Sequence, residues 1–307
     1  MEVIGVDRGK MSNIVWLASY PKSGNTWFRI LIANLSSTDG ISADINNLPE
    51  DVRIASGRAL FDNQTLLDSG LLTHEEIDSL RPGVYGAIAR STADDFGERA
   101  LSALSDRHFI KIHDAYTSTS QGESLFGAAR AAIVITRDPR DVAISFAHHL
   151  DFSIDQAIAL MCDANGRVSL KSKGQAGQLR QRLLSWSAHV ESWLDQVEVP
   201  VHLVRYEDMI DDAAECFRKA MEFIGYPITN EAADRSAKLA SFSSLQAQEQ
   251  EKGFAERVSK DSPFFREGRA GGWQTILSKE QTERIEQAHF KVMDRLGYRL
   301  TSVREPT

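Results

Sequence analysis

The sequence predicts an α/β protein with a single domain, built on a central parallel β-sheet with helices on both faces. Four short apolar runs are typical of buried parallel strands; they cover residues 14–18, 109–112, 131–136 and 201–204. Amphipathic helical patterns lie between or after these runs, at residues 27–35, 141–150, 179–197, 212–224 and 279–296. Strands that alternate with helices in this way indicate a parallel sheet joined by helical crossovers.

The 307 residues suit one large α/β domain, 1–307, with ample length for a core. Residues 1–10 lack the apolar region of a signal peptide and are interpreted as an N-terminal extension. Residues 36–100 are polar and broken by Gly and Pro, so we expect short helices and loops that cover the carboxyl edge of the sheet. Residues 248–272 are charged and glycine-bearing, and we expect a lid there.

The composition argues against several classes of protein. The 35 basic and 43 acidic residues give a net charge of −8, which is unlike a general nucleic-acid binder but allows a small anionic ligand. Cys162 and Cys216 lie outside any CxxC motif or Cys/His cluster, as is typical of reduced thiols. No apolar stretch approaches the ~20 residues of a membrane span. We therefore expect a cytoplasmic protein without a metal site.

The stretch SYPKSGNTWF, residues 19–28, has the strand-to-helix setting of a phosphate-binding loop. Gly24 allows a close backbone approach, and the start of the helix offers free N–H groups to an anion. Side-chain oxygens of Asn25 and Thr26 are expected to cap some of these groups. Lys22 adds a positive charge, although it precedes the glycine instead of following it as in a P-loop. The alternative is a plain turn with an exposed lysine; the setting favours the phosphate loop.

Further polar residues follow two other predicted strands. Arg137 comes directly after the run 131–136, where ligands of α/β proteins bind, although a surface ion pair with Asp141 explains it equally well. Lys111 and His113 lie two residues apart and therefore share one face of their strand. A histidine at that strand end is placed to accept a proton from a substrate hydroxyl. The alternative is a buried histidine bonded to the backbone.

The stretch SPFFREGRAGGW carries Arg266, Arg269 and three glycines before Trp273. A flexible basic loop with an aromatic anchor is suited to closing over an anion. The alternative is a solvated linker.

Taken in this order, the motifs resemble those of the cytosolic sulfotransferases that use PAPS, 3′-phosphoadenosine 5′-phosphosulfate, over residues 14 to about 298. YPKSGNTW is similar to the family's YPKSGTTW loop. That likeness implies that the 5′-phosphosulfate and the adenine are held by Lys22, Ser23, Gly24, Asn25, Thr26 and Trp27. KIHD is similar to the family's K-T-H stretch, which implies His113 as the catalytic base and Lys111 as a supporting cation.

The remaining motifs resemble the family's 3′-phosphate and adenine contacts. TRDPRDVAISF, VRYEDM, SFSSLQ and FFREGRAGGW imply that the nucleotide is also bound by Arg137, Ser145, Tyr206, Ser241, Phe242, Arg266 and Gly268. Glu267 replaces a lysine of the family, so we expect it to face away from the phosphate and Arg269 to compensate. The family's dimerisation segment is poorly matched, since only Glu283 remains of it, and the oligomeric state is left open.

The resemblance implies in-line transfer of a sulfuryl group from PAPS to a hydroxyl, in preference to an amine, of a small organic acceptor, with PAP as the product. Lys22 and Lys111 would stabilise the leaving oxygen, and no metal is required. We expect the acceptor pocket in residues 36–100, after His149 and in the lid; the sequence does not identify the acceptor. One alternative is a P-loop-type ATP-dependent small-molecule kinase, although the strand ends carry His113, Arg137 and Arg205 instead of an acidic magnesium ligand. The other is a non-catalytic nucleotide-binding protein on the same scaffold.

Overall fold

The structure is a computed structural model that describes residues 13–35, 37, 40–48, 52–90, 107–122, 124–126, 129–169, 177–257, 263–266 and 268–301. The extension expected at residues 1–10 lies outside them. The strands are β1 Ile14–Ser19, β2 Val52–Ile54, β3 His108–Ile112, β4 Ala131–Thr136, β5 Arg167–Val168, β6 Gln181–Arg182 and β7 Val201–Arg205. The helices are α1 Asn25–Asn34, α2 Arg58–Thr65, α3 His74–Arg90, α4 Pro139–Leu150, α5 Ile154–Cys162, α6 Trp186–Leu194, α7 Tyr206–Asp211, α8 Ala213–Phe223, α9 Asn230–Leu239, α10 Phe242–Lys252, α11 Trp273–Ile276 and α12 Lys279–Arg295.

The main sheet has five parallel strands in the order β2-β3-β1-β4-β7. The four strands predicted from apolar runs are confirmed. The edge strand β2 is a further strand, and its three residues are too few for an apolar pattern in the sequence. Strand β1 lies at the centre and pairs with β3 on one side and with β4 on the other. Since all strands are parallel, their carboxyl ends meet at one edge of the sheet.

Both faces of the sheet are covered by helices, which explains why the strands read as continuous apolar runs. Val15 and Leu17 of β1 pack on one face in a core shared with α1 and α8. Ile14, Trp16 and Ala18 pack on the opposite face in a second core shared with α3 and α6. This alternation follows from the two-residue period of a strand. The prediction of a parallel sheet with helices on both faces is confirmed.

The helix predicted at residues 179–197 is shorter in the structure. Residues 181–182 form β6, which pairs with β5 in a two-stranded antiparallel ribbon. Leu184 has a φ of 58°, which a right-handed helix cannot contain. The Ser185 side chain then accepts a hydrogen bond from the Ala188 backbone and caps α6. The amphipathic pattern therefore includes a strand and a cap before the helix begins.

Two other expected segments are partly helical. Residues 248–252 are the last turns of α10, so the segment expected as a lid starts inside a helix. The region 36–100 contains β2, α2 and α3 among its described residues. None of the helices that the structure describes is long and apolar enough to cross a lipid bilayer.

Candidate active site

A cavity of about 1010 Å³ lies where the loop after β1 meets the ends of β3 and β4. The structure brings most of the residues predicted from the sequence together in its lining: Lys22, Gly24, Asn25, Thr26, Trp27, Lys111, His113, Arg137, Ser145, Tyr206, Phe242, Arg266 and Gly268. Ser23 and Ser241 do not line it. Ser23 is buried in the loop, and Ser241 precedes the first residue of α10. The roles of all these residues stay predictions.

The loop between β1 and α1 has an unusual backbone. Lys22 and Gly24 have φ values of 68° and 105°, in the left-handed region. A Cβ atom on Gly24 would lie 2.7 Å from Cδ2 of Tyr206, so the close packing of that ring requires glycine. Gly24 precedes α1 and provides no side-chain cap. The amide groups of the first helical turn therefore give this end of the cavity a partial positive charge.

Asn25 and Thr26 do not have the capping role expected from the sequence. The Asn25 Nδ2 atom donates to the Leu17 carbonyl oxygen at 2.7 Å and to Ser19 Oγ at 3.1 Å. The Thr26 hydroxyl lies 3.5 Å from a carboxylate oxygen of Glu256. Asn25 is the first residue of α1, but its side chain is bonded to strand β1. It therefore does not cap the helix.

His113 follows the last residue of β3 and has a defined hydrogen-bonding partner. Its Nδ1 atom lies 2.8 Å from the carbonyl oxygen of Ser19 and 3.2 Å from Ser19 Oγ. A carbonyl oxygen only accepts, so Nδ1 carries the hydrogen and Nε2 has a free lone pair. Burial, helped by the charge of Lys111, holds the pKa of His113 well below its usual value. The ring is therefore neutral at pH 7 and able to accept a proton.

Two lysines bring positive charge to the cavity. The Lys22 Nζ atom lies 3.6 Å from the centre of the Phe264 ring, a cation–π contact. Burial lowers the pKa of Lys22 to about 7, and the charges of Lys111 and Arg137 act in the same direction. Burial also lowers the pKa of Lys111, although Glu256 opposes this effect. Lys22 thus carries a proton that is released near neutral pH.

Glu256 is a central residue of the site that the sequence did not reveal. Its carboxylate lies 2.8 Å from Lys111 Nζ and 2.5 Å from Arg29 Nη1. Burial alone would raise its pKa, but these two cations hold the pKa of Glu256 well below its usual range. The carboxylate is therefore ionised. No local pattern distinguishes Glu256 from the other acidic residues of 248–272, because its role depends on distant residues.

Arg137 links three parts of the site. Its guanidinium donates to the carbonyl oxygen of Lys22 at 3.4 Å and to that of Arg269 at 3.1 Å. Its Cζ atom lies 4.4 Å from the centre of the Tyr206 ring. Asp141, the suggested partner of Arg137, instead accepts hydrogen bonds from the backbone N–H groups of Gly271 and Trp273. Arg137 is therefore turned toward the cavity.

The segment after Phe264 closes one side of the cavity. Gly268 has a φ of 57°, and an added Cβ would lie 2.4 Å from the Phe242 ring. Arg266 and Arg269 line the cavity on either side of this contact. Glu267, which we expected to face away, lies outside the described residues.

The other walls come from the β5–β6 ribbon, from α4 and from Phe152, which lies in the region after His149 where we expected the acceptor pocket. The β5–β6 ribbon contributes Arg167, Val168, Ser169, Gly177, Gln178 and Gln181. Phe146 and His149 of α4 also line the cavity, as does Phe152, which follows that helix. Burial and the charge of Lys22 lower the pKa of His149 to about 3, so this ring is neutral. None of the described residues between 36 and 100 lines the cavity, and their part in acceptor binding stays a prediction. Nor does the described part of the chain bring three His, Cys, Asp or Glu residues together as a metal site would need.

Comparisons with known proteins show what the whole chain is similar to. Sulfotransferase 6B1 of mouse is 24% identical over 54% of this chain and 51% of its own length, so the chain spans about half of that relative. Flavonol 3-sulfotransferase of Flaveria bidentis is 24% identical over 90% of this chain and 80% of its own length. Sulfotransferase 1A1 of dog is 22% identical over 92% of this chain and 83% of its own length.

Solved structures show the same fold. Mouse sulfotransferase SULT7A1 complexed with PAP has a TM-score of 0.54 at 17% identity and covers 92% of this chain and 85% of its own. Retinol dehydratase in a complex with retinol and PAP has a TM-score of 0.55 at 18% identity and covers 97% of this chain and 84% of its own. A sequence model described as the sulfotransferase domain matches residues 12–297. Because this match extends over almost the whole chain, the protein belongs to the sulfotransferase family.

Proposed function

We propose that the protein transfers a sulfuryl group from PAPS to a hydroxyl of an organic acceptor, with His113 as the general base. The observation that carries this proposal is the contact between His113 Nδ1 and the Ser19 carbonyl oxygen, 2.8 Å long. It leaves Nε2 as a proton acceptor in the cavity that Lys22 also lines. A neutral base beside positively charged side chains suits a reaction in which a hydroxyl loses a proton and an anion leaves.

The residues present fit a nucleotide that carries several negative charges. The Nε atom of Arg137, a residue that lines the cavity, is buried and has no hydrogen-bond partner among the described residues. Buried polar atoms without partners are costly unless a ligand or water satisfies them. The positive end of α1 and the lysines add the charge that phosphate groups require. PAPS would be held at its 5′ end by the loop that follows β1, and at its 3′-phosphate by Arg137, Ser145, Arg266 and Gly268.

Each residue then has a defined task. When bound, PAPS supplies an activated sulfuryl group attached to a phosphate leaving group. His113 Nε2 accepts the proton of the acceptor hydroxyl. Lys22 and Lys111 place positive charge where the leaving oxygen becomes negative. Tyr206 and Trp27, whose ring centres lie 5.8 Å apart, offer aromatic surface to the adenine.

The walls of the cavity indicate the chemistry of the acceptor. Ile144, Phe146, Leu160 and Val168 line it with apolar surface, which fits an acceptor with an apolar body. Its volume of about 1010 Å³ lies at the top of the usual range for ligand pockets, ~300–1,000 Å³, as a site for two substrates requires. An aliphatic amine is protonated at pH 7 and would be repelled by the cations of the site, so we favour a hydroxyl.

The test uses purified protein, PAPS and a panel of apolar alcohols and phenols, with release of PAP as the readout. His113→Ala should keep PAP affinity within about twofold by calorimetry and lose roughly 100-fold or more in turnover. His148→Ala is the matched control, because His148 is exposed on α4 and does not line the cavity. Near wild-type turnover of His113→Ala would exclude it as the base. If ATP–Mg raised the melting temperature of the protein and PAP did not, the alternative of an ATP-dependent kinase would be favoured.

A further inference from the structure

We propose that Asn25 is a positioning residue for the catalytic base: its side-chain amide holds Ser19, and Ser19 orients the His113 ring and sets its tautomer. The inference rests on the proposed function, since it gives His113 the role of general base. It assigns to Asn25 a task on the side of the base, whereas the family resemblance places this residue at the 5′-phosphosulfate.

Both hydrogens of the Asn25 amide nitrogen are used by the strand. Its Nδ2 atom donates one hydrogen to the Leu17 carbonyl oxygen at 2.7 Å and the other to Ser19 Oγ at 3.1 Å. Asn25 is 3% exposed and Ser19 is 0% exposed, so water does not compete for these bonds. The first residue of α1 is thereby tied to the carboxyl end of β1.

Ser19 meets the histidine with both of its oxygen atoms. The carbonyl oxygen lies 2.8 Å and the hydroxyl oxygen 3.2 Å from His113 Nδ1. The carbonyl selects the ring form with hydrogen on Nδ1. A hydroxyl is less selective, because it can also donate to an unprotonated Nδ1 and so favour the form with hydrogen on Nε2. That second form cannot accept a proton from a substrate.

Asn25 biases this choice by fixing where Ser19 lies. A donor on Ser19 Oγ holds its side chain in one orientation, and the bond to Leu17 holds the strand end that carries the Ser19 carbonyl. Without Asn25 the Ser19 side chain is free to rotate, and the ring gains a second hydrogen-bonding arrangement. The Asn25 side chain points toward strand β1 and not toward the start of α1. A ligand at the start of α1 would therefore contact the backbone N–H of Asn25 and not its side chain.

Asn25→Thr separates the two tasks of this position. Threonine keeps the backbone N–H for an anion, but its single short hydroxyl cannot replace two amide hydrogen bonds. The control is Asn34→Thr, because Asn34 is a buried asparagine of the same helix that does not line the cavity. Ser19→Ala is the second variant: it removes Oγ and leaves the carbonyl partner of His113.

The first readout is ¹⁵N NMR of histidine-labelled protein without nucleotide, with the His113 signals assigned from His113→Gln. We expect hydrogen on Nδ1 in the wild type and in Asn34→Thr, and a mixture of both ring forms in Asn25→Thr. The second readout is kinetic. Turnover of Asn25→Thr should fall on the order of 10-fold, less than the roughly 100-fold expected for losing the base, while PAP affinity stays within about twofold. Ser19→Ala leaves only the carbonyl as partner of His113, so it should keep hydrogen on Nδ1 and lose less turnover than Asn25→Thr, without changing PAP affinity.

Two results would overturn the inference. One is an unchanged ring form of His113 in Asn25→Thr together with weaker PAP binding, which would place the role of Asn25 at the nucleotide. The other is unchanged turnover in Asn25→Thr. Failure of the proposed function can be told apart from failure of this inference. If His113 is not the base, His113→Ala stays active, whichever ring form the NMR experiment finds.

Discussion

The carboxylate of Glu256 lies 2.8 Å from the ammonium group of Lys111, although 145 residues separate them in the chain. The same carboxylate contacts Arg29, which is 4% exposed. One acidic residue of the segment expected as a lid is therefore the counter-ion of two buried cations beneath the phosphate loop. The balance of charge leaves this end of the cavity positive, as an anionic ligand requires.

Glu256→Gln should destabilise the protein and strengthen PAP binding at the same time. Removing one partner of a buried ion pair leaves uncompensated charge, so we expect the free energy of unfolding to fall by about 3 kcal/mol in urea titrations. The loss of a negative charge beside Lys111 favours an incoming phosphate, so PAP affinity measured by calorimetry should rise. Bound PAP should restore most of the lost stability.

The matched control for this experiment is Glu251→Gln, which makes the same change at an exposed position of α10. It should alter neither the free energy of unfolding nor the PAP affinity.

The ion pair of Glu256 should also be sensitive to acid. The pKa of Glu256 is depressed in the folded protein, so its contribution is present above its unfolded value of ~4.3 and is lost as the pH falls below it. Equal acid sensitivity of wild type and Glu256→Gln would contradict the assignment.

The pKa of Lys22, about 7, predicts how PAP affinity depends on pH. A bound phosphate favours the charged lysine, so binding above pH 7 requires the uptake of a proton. Affinity should therefore fall between pH 7 and pH 9, by up to about tenfold per unit. Lys22→Arg stays charged throughout this range and should bind PAP with less pH dependence. Isothermal titrations at several pH values measure the difference; parallel profiles would show that Lys22 does not contact the nucleotide.

Most of the sheet could be predicted because its strands obey a local rule. Helices cover both faces of the sheet at the four predicted strands, β1, β3, β4 and β7. The sequences of these strands are therefore apolar runs. β2 and the β5–β6 ribbon could not be found in this way. They have two or three residues each, and their pairing is decided by distant parts of the chain.

The site shows the same division. Lys22, His113 and Arg137 could be predicted to meet, because each follows a parallel strand and such strands end at one edge. Glu256 could not, since its position depends on Lys111 and Arg29. The inward turn of the Asn25 side chain was also missed, because a polar residue at a helix start is usually interpreted as a cap.

Asp141 provides the last prediction, because it joins α4 to the segment that carries Arg266 and Arg269. Its two carboxylate oxygens accept from the backbone N–H groups of Gly271 at 2.7 Å and Trp273 at 2.9 Å. Asp141→Ala removes both bonds and should lower the free energy of unfolding by about 2 kcal/mol. PAP affinity should fall on the order of tenfold, about 1.4 kcal/mol, since binding must then order the freed segment.

Asp141→Asn keeps one accepting oxygen and should give intermediate values in both measurements. Asp155→Ala is the control: it removes an exposed carboxylate, paired with Arg284 on the surface, and should leave PAP affinity unchanged. Calorimetry and limited proteolysis between residues 263 and 273 separate the causes. If Asp141→Ala lost stability but kept its PAP affinity and its resistance to cleavage in that segment, Asp141 would support the fold without holding the basic segment over the nucleotide.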